Sequence, residues 1–134
     1  MNKIRLTEEI TISALHNLES PQLSDVENER LYGQCYRKHG HDYHIQVELE
    51  AEIDLRSGVA IDRSKLKEIL DLVLTKKFSG TFLNRHFDCT SGEALSVYFF
   101  DIVKTPIENE LKGVRLVNLH IQETRKNWFS YSNL

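Results

Sequence analysis

Three histidines have the spacing of a metal site. The chain of 134 residues holds six histidines, and a single glycine separates His39 from His41. Residues two apart on a β-strand project from the same face, so both imidazoles point to one side. His16 lies on the apolar side of an earlier strand pattern, and three imidazoles from two strands suit a zinc ion with one open position. The spacing alone leaves ordinary structural histidines equally open.

The strands that position these histidines are visible as alternating patterns. Even-numbered apolar residues share a face with His16, and a second stretch alternates apolar residues with Gln46 and glutamates. His39 and His41 have the parity of the second stretch's apolar residues, whereas His44 and His120 have the opposite parity. The polar segment 19–30 reads as a loop. The strand patterns span residues 4–18, 45–53, 59–61, 114–123 and 128–131.

Two helices are predicted between the third and fourth strand patterns. The first begins at a cap, Asp62 or Ser64, and runs to about Lys77. The second starts at Ser91, and Pro106 is expected to end or interrupt it. The order β-β-β-α-α-β-β predicts an α+β fold with an antiparallel sheet.

Composition narrows the class of protein. Residues 1–134 fit one domain, with 40% hydrophobic and 28% charged residues. A net charge of −3 predicts no nucleic-acid partner, and no apolar stretch approaches the length of a membrane span. The N-terminus lacks a secretory signal pattern, so a cytoplasmic location and two free thiols, Cys35 and Cys89, are expected.

A family resemblance covers nearly the whole chain in the correct order. Residues 35–43, Cys-Tyr-Arg-Lys-His-Gly-His-Asp-Tyr, resemble the Cys-x-x-x-His-Gly-His-x-Tyr motif of the 6-pyruvoyl-tetrahydropterin synthase family. The three-residue spacer resembles the bacterial 6-carboxy-tetrahydropterin synthase branch, which serves queuosine biosynthesis. Further matches are Ile-Ser-Ala-Leu-His at 12–16, Gly-Val-Ala-Ile-Asp at 58–62, Ser-Gly-Glu-Ala-Leu at 91–95 and Ile-Gln-Glu-Thr at 121–124.

The resemblance implies a fold, a cofactor and an assembly. The fold is the tunnelling fold, a four-stranded antiparallel sheet with two helices on one face, which joins other copies in an oligomeric barrel. A homohexamer is expected. Zn²⁺ would be held by His16, His39 and His41.

The resemblance also implies a pterin substrate and the residues that handle it. Glu123 shares parity with Ile121, so its carboxylate should point inward and accept two N–H groups of a pterin ring. Ser91, Gly92 and Glu93 match further pterin contacts. Cys35 matches the family's catalytic cysteine, and a thiol near zinc suits general-base work.

The family's catalytic Asp-His pair is not at its usual place. Aligning Leu83 and Asn84 to the family's Leu-Asn places Phe-Ser-Gly, residues 78–80, where Leu-Asp-His should be. Either both catalytic side chains are absent, or His86 and Asp88 supply the pair from a rebuilt loop.

Three functional hypotheses follow. The first is a lyase-type synthase that converts dihydroneopterin triphosphate to a 6-substituted tetrahydropterin, with the 6-carboxy compound preferred. The second is a divergent enzyme that cleaves another pterin side chain, and the third is a non-catalytic oligomer that binds zinc and pterin. Basic residues beside the motifs can serve a triphosphate; they are Arg37, Lys38, Arg85, Arg125 and Lys126.

Overall fold

One antiparallel sheet of four strands forms the framework. The computed structural model describes residues 2–133, and within them the sheet has the order β1-β2-β3-β4. The strands are β1 (Lys3–His16), β2 (His39–Glu52), β3 (Arg115–Thr124) and β4 (Asn127–Tyr131). Its apolar face packs against the helices in a single core cluster.

The β1–β2 ladder brings the histidines together. It pairs fourteen residues without a register shift, from Lys3 opposite Glu52 to His16 opposite His39. Burial alternates along both strands, so the even positions of β1 and the odd positions of β2 face the core. The predicted parity of His16, His39 and His41 is therefore confirmed, because residues two apart stay on one face.

A helix occupies the segment expected to be a loop. Helix α1 (Asp25–Tyr32) begins at Ser24, whose side chain accepts the Glu27 N–H while the Glu27 carboxylate accepts the Ser24 N–H. This reciprocal pair satisfies two orphan donors of the first turn, so the prediction of a loop was wrong for residues 25–30, whereas residues 19–24 are irregular as predicted. A 3₁₀ turn, Gly33–Tyr36, leads from α1 toward β2.

Residues 59–61 do not form the predicted strand, so this prediction was also wrong. Val59 accepts the Asp54 N–H, and Gly58 (φ 73°) donates to Asp54, so both bonds belong to a turn. Both edges of β2 are taken by β1 and β3, which leaves the returning segment no partner there. Helix α2 (Arg63–Leu70) then begins at Asp62, whose carboxylate accepts the Lys65 N–H, and continues through a π turn, Asp71–Thr75, to Phe78.

A third helix, α3 (Gly92–Glu110), is the longest of the described helices. Ser91 caps it by accepting the Ala94 N–H at 3.2 Å. Pro106 lies inside the helix and does not end it, contrary to the prediction. Its neighbours Val103 and Ile107 are fully buried, and this packing offsets the roughly 3 kcal/mol that an interior proline costs.

Candidate metal and pterin site

Three imidazoles converge at one end of the β1–β2 ladder. The ladder sets His16 directly across from His39, and His41 lies two residues further along β2. The ring centroid of His16 is 4.5 Å from that of His39 and 5.0 Å from that of His41. One ring nitrogen from each of the three lies within 4.8 Å of the others, which is close enough for one metal ion to bind all three.

Backbone carbonyls fix two of the rings. The carbonyl oxygen of Thr90 lies 2.9 Å from His16 Nδ1, and that of Arg37 lies 2.6 Å from His39 Nδ1. A carbonyl can only accept, so both Nδ1 atoms carry a proton, and in the neutral ring this leaves the lone pair on Nε2. The Nε2 atoms of His16 and His41 are buried and lack a hydrogen-bond partner. Such atoms fit a metal ion that binds neutral imidazole nitrogens.

Burial favours the neutral form of His16 and His41. It lowers the pKa of His16 to about 4, against the opposing effect of the Thr90 carbonyl and with help from the other two imidazoles. Burial, and then the proximity of His39, also lowers the pKa of His41. Neutral imidazoles at physiological pH are the form that a metal ion requires.

Glu123 lies beside the histidines, as its strand parity predicts. Its Oε1 is 3.5 Å from Nε2 of His41, at the point where the β3–β4 pairing shifts register. Burial raises the pKa of the Glu123 carboxyl; His39 opposes this and the Glu93 carboxylate reinforces it. Tyr43 is fully buried next to His16 and His41, and its hydroxyl has no partner.

The other predicted pterin contacts lie at the start of α3. The Ser91 hydroxyl serves as the helix cap, and Glu93 lies in the first turn. Gly92 is buried against the ring of Phe129, which fills the space that a β-carbon would need. Gly92 thus has a packing role in this chain, and pterin contacts by these three residues stay a prediction.

Cys35 is tied to the chain just after His16. It lies in the 3₁₀ turn before β2, and its carbonyl accepts the Leu18 N–H at 2.7 Å. The thiol is exposed. The prediction that Cys35 is the catalytic base is not tested by this geometry.

The residues proposed to replace the Asp-His pair face outward. His86 and Asp88 are exposed, and the His86 ring packs edge-on against Phe78 at 5.1 Å between centroids. Neither belongs to the group of metal-binding side chains around His16. At the position where the sequence resemblance would place the family's Asp-His pair, the Ser79 hydroxyl accepts the Ser13 N–H and Gly80 donates to the Ser13 carbonyl.

Two polar residues of the site have no signal in the sequence that links them to the histidines. Thr90 orients His16, and Asn84, which the sequence pattern marks only as part of a Leu-Asn pair, holds the backbone beside it. These residues lie 67 to 74 positions from the segment they hold, so no local spacing could have shown the contacts.

Comparisons with known proteins agree with this fold. Residues 5–133 match the family model of 6-pyruvoyl tetrahydropterin synthase. The chain is 34% identical to the 6-pyruvoyl tetrahydrobiopterin synthase of Drosophila melanogaster over 133 residues, covering 94% of this chain and 77% of that protein. It is 26% identical over 94 residues to an Archaeoglobus fulgidus protein assigned provisionally as a 6-carboxy-5,6,7,8-tetrahydropterin synthase, covering 70% and 75%.

A solved structure extends the likeness to the whole chain. The 6-pyruvoyl tetrahydropterin synthase of Caenorhabditis elegans superposes with a TM-score of 0.89 at 31% identity, covering 100% of this chain and 98% of that one. The chain belongs to the 6-pyruvoyl tetrahydropterin synthase family, and its fold is the tunnelling fold. The sheet and the family are as predicted, although three helices replace the expected two. Within residues 2–133, no helix combines the length and apolarity that crossing a membrane requires.

Proposed function

We propose that this protein is a zinc-dependent pterin synthase that acts on dihydroneopterin triphosphate and yields a 6-substituted tetrahydropterin. The convergence of His16, His39 and His41, with two buried ring nitrogens that lack partners, carries the proposal. These residues would hold Zn²⁺, which supplies Lewis-acid stabilisation to the hydroxyls of the substrate side chain. Relatives of this family are tetrahydropterin synthases, which supports a pterin as the substrate.

Glu123 and Cys35 have complementary tasks in this proposal. The Glu123 carboxylate, half-buried beside His41, accepts the paired N–H groups of the pterin ring and so fixes the ring's orientation. Desolvation strengthens those bonds, because little water competes for the carboxylate. Cys35, two residues before Arg37 whose carbonyl holds His39, takes a proton from the substrate side chain.

The sequence motif and the named relatives favour different products. The three-residue spacer between Cys35 and His39 favours 6-carboxy-tetrahydropterin and a place in queuosine biosynthesis. The names of the relatives at 34% and 31% identity favour the 6-pyruvoyl compound. We take the 6-carboxy compound as the first product to look for.

A second candidate is a zinc- and pterin-binding oligomer without synthase activity, or a divergent enzyme acting on another pterin. It is favoured by Ser79 and Gly80 at the family's Asp-His position, together with the exposure of His86 and Asp88. A proton relay lacking both partners of the cysteine would turn over slowly or not at all.

One experiment separates these candidates. Zinc-loaded protein is incubated with dihydroneopterin triphosphate, and the products are identified by mass spectrometry beside Cys35→Ala and Glu123→Gln. We expect conversion that is lost in Cys35→Ala, and weaker pterin binding in Glu123→Gln. Tight binding without conversion would support the second candidate, and no binding of pterin or zinc would contradict both.

A further inference from the structure

The loop of residues 79–90 is anchored to the residue after His16. Asn84 Oδ1 accepts the Asn17 N–H at 3.0 Å, and Asn84 Nδ2 donates to the Asn17 carbonyl at 2.8 Å. One side-chain amide therefore takes both backbone groups of Asn17. A pair of this kind fixes position and orientation together, because it holds the peptide groups on both sides of the Asn17 Cα atom.

Thr90, at the end of this loop, also contacts Asn17. Its hydroxyl lies 3.1 Å from both the Asn17 carbonyl and Asn84 Oδ1, and its own carbonyl accepts the His16 Nδ1–H. Thr90 is 1% exposed and His16 is 1% exposed, so water cannot substitute for these bonds. The Asn84 side chain thus sets both the backbone beside His16 and the carbonyl that orients its ring.

Asn17 also connects Asn84 to the backbone that holds His39. Its side-chain Nδ2 donates to the carbonyl of Tyr36 at 3.2 Å. The next residue, Arg37, supplies the carbonyl that holds His39. Two of the three imidazoles are therefore oriented by backbone that is bonded, directly or through Asn17, to Asn84.

We propose that Asn84 is a positioning residue of the metal site, acting through Asn17 and Thr90 on His16. The inference rests on the proposed function, since it presumes a metal ion on the three histidines. Groups that orient a metal-binding imidazole are worth about ten- to one hundredfold in metal affinity. Asn84→Ala removes both bonds to the Asn17 backbone and one of the two acceptors near the Thr90 hydroxyl, so it lowers zinc affinity within that range.

The chain offers a matched control. Asn28 makes the same kind of pair elsewhere, with Oδ1 accepting the Ser20 N–H at 2.7 Å and Nδ2 donating to the Ser20 carbonyl at 3.1 Å. It is 3% exposed and anchors α1 rather than a histidine. Asn28→Ala therefore removes an amide that makes the same pair of backbone bonds and is more deeply buried than Asn84, so it costs stability while zinc affinity changes less than about threefold.

Zinc affinity is measured by competition with a chromophoric chelator, at a temperature where circular dichroism shows each variant to be folded. We expect a loss of about ten- to one hundredfold for Asn84→Ala. Should that variant fail to fold, Thr90→Val retains the carbonyl and is expected to lose about threefold to tenfold. Equal losses in Asn84→Ala and Asn28→Ala, or an unchanged affinity in the variants of Asn84 and Thr90, would overturn the inference.

A second experiment, made in the His16→Ala variant, tests whether Asn84 acts through His16. In His16→Ala the remaining two histidines bind zinc weakly, and adding Asn84→Ala should then cost less affinity than it does in the wild-type background, because only the route through Asn17 to His39 is left. A loss as large as in the wild-type background would overturn the inference. A wild-type protein that binds no zinc would instead overturn the proposed function, and the inference with it.

Discussion

His16 unites near-complete burial with a ring nitrogen that has no protein partner. A buried polar atom left unpaired costs about 1–3 kcal/mol, so proteins seldom keep one without a use for it. The Nδ1 side of the ring is held by a carbonyl, and the Nε2 side faces the other two imidazoles. The Nε2 atom of His16 is thus placed to bind a metal ion.

The metal-free protein should lose stability in mild acid because of His16. The pKa of this residue is about 4 in the folded chain and 6.5 as the ordinary value of an unfolded one. Below pH 6.5 the unfolded chain therefore takes up a proton that the folded chain does not bind. The free energy of unfolding falls as pH drops from 6.5 to about 4, by up to about 1.4 kcal/mol per pH unit, and is unaffected by this group above 6.5.

Urea titrations in the presence of a chelator measure this dependence. His16→Gln should flatten the slope between pH 6.5 and 4, whereas His44→Asn, at a more exposed histidine on the polar face of the sheet, should leave it as in the wild type. An identical slope in wild type and His16→Gln would show that burial of His16 does not govern it.

The sequence predicts which face of the sheet a residue occupies, because that follows from its position along the strand. It does not predict contacts between residues that are far apart in the chain. The period of two along a strand is enough to predict that His16, His39, His41 and Glu123 face the core side of the sheet. Thr90 has no such signal, because its carbonyl reaches His16 across 74 residues. The burial of His16, His41 and Glu123, which shifts their pKa values, likewise depends on the packed core.

At the scale of elements, α3 meets β4 where Gly92 lies against Phe129. An alanine in the first turn of a helix normally stabilises it by up to about 1 kcal/mol relative to glycine. Here the ring occupies the position of the added β-carbon. We expect Gly92→Ala to lower the free energy of unfolding by about 1–3 kcal/mol, as overpacking does.

Chemical denaturation of a double-mutant cycle checks this expectation. Combining Gly92→Ala with Phe129→Ala should cost clearly less than the sum of the two single changes, since the smaller side chain vacates the space. Additive losses, or a stabilised Gly92→Ala, would mean that the helix start moves freely away from β4.

Three predictions about strands and helices were wrong, and each has a physical reason. The apolar residues 59–61 resemble a strand, yet β2 has no free edge to pair with them. Ser24 and Glu27 have the spacing of a capping box, so α1 was readable despite its polar composition. Pro106 is tolerated because α3 is held to the sheet on both sides of it by Val103 and Ile107.

At the scale of the whole molecule, the homohexamer is still a prediction. The backbone of β1 alternates, and its odd-numbered residues turn their N–H and C=O groups to the edge away from β2, as Ser13 and Leu15 show by bonding residues 79–81 there. A long strand with such an edge is a template for pairing with another chain.

The assembly can therefore be tested at Glu9. We expect a mass of about six times the 15.6 kDa of one chain by sedimentation equilibrium. Glu9→Pro removes an outward N–H while keeping the β1–β2 bonds, and should lower the mass; Glu9→Thr should not. A monomeric wild type, or a Glu9→Pro variant of unchanged mass, would count against assembly through this edge.

The short stretch after Phe78 has a consequence for how far such a pairing can extend. Gly80 donates to the Ser13 carbonyl, and Leu15 donates to the Thr81 carbonyl, so the last edge groups of β1 are already in use. An incoming strand can add along β1 only until it meets this segment, which acts as a register stop. Two copies that joined along this edge would therefore be prevented from sliding past Ser13.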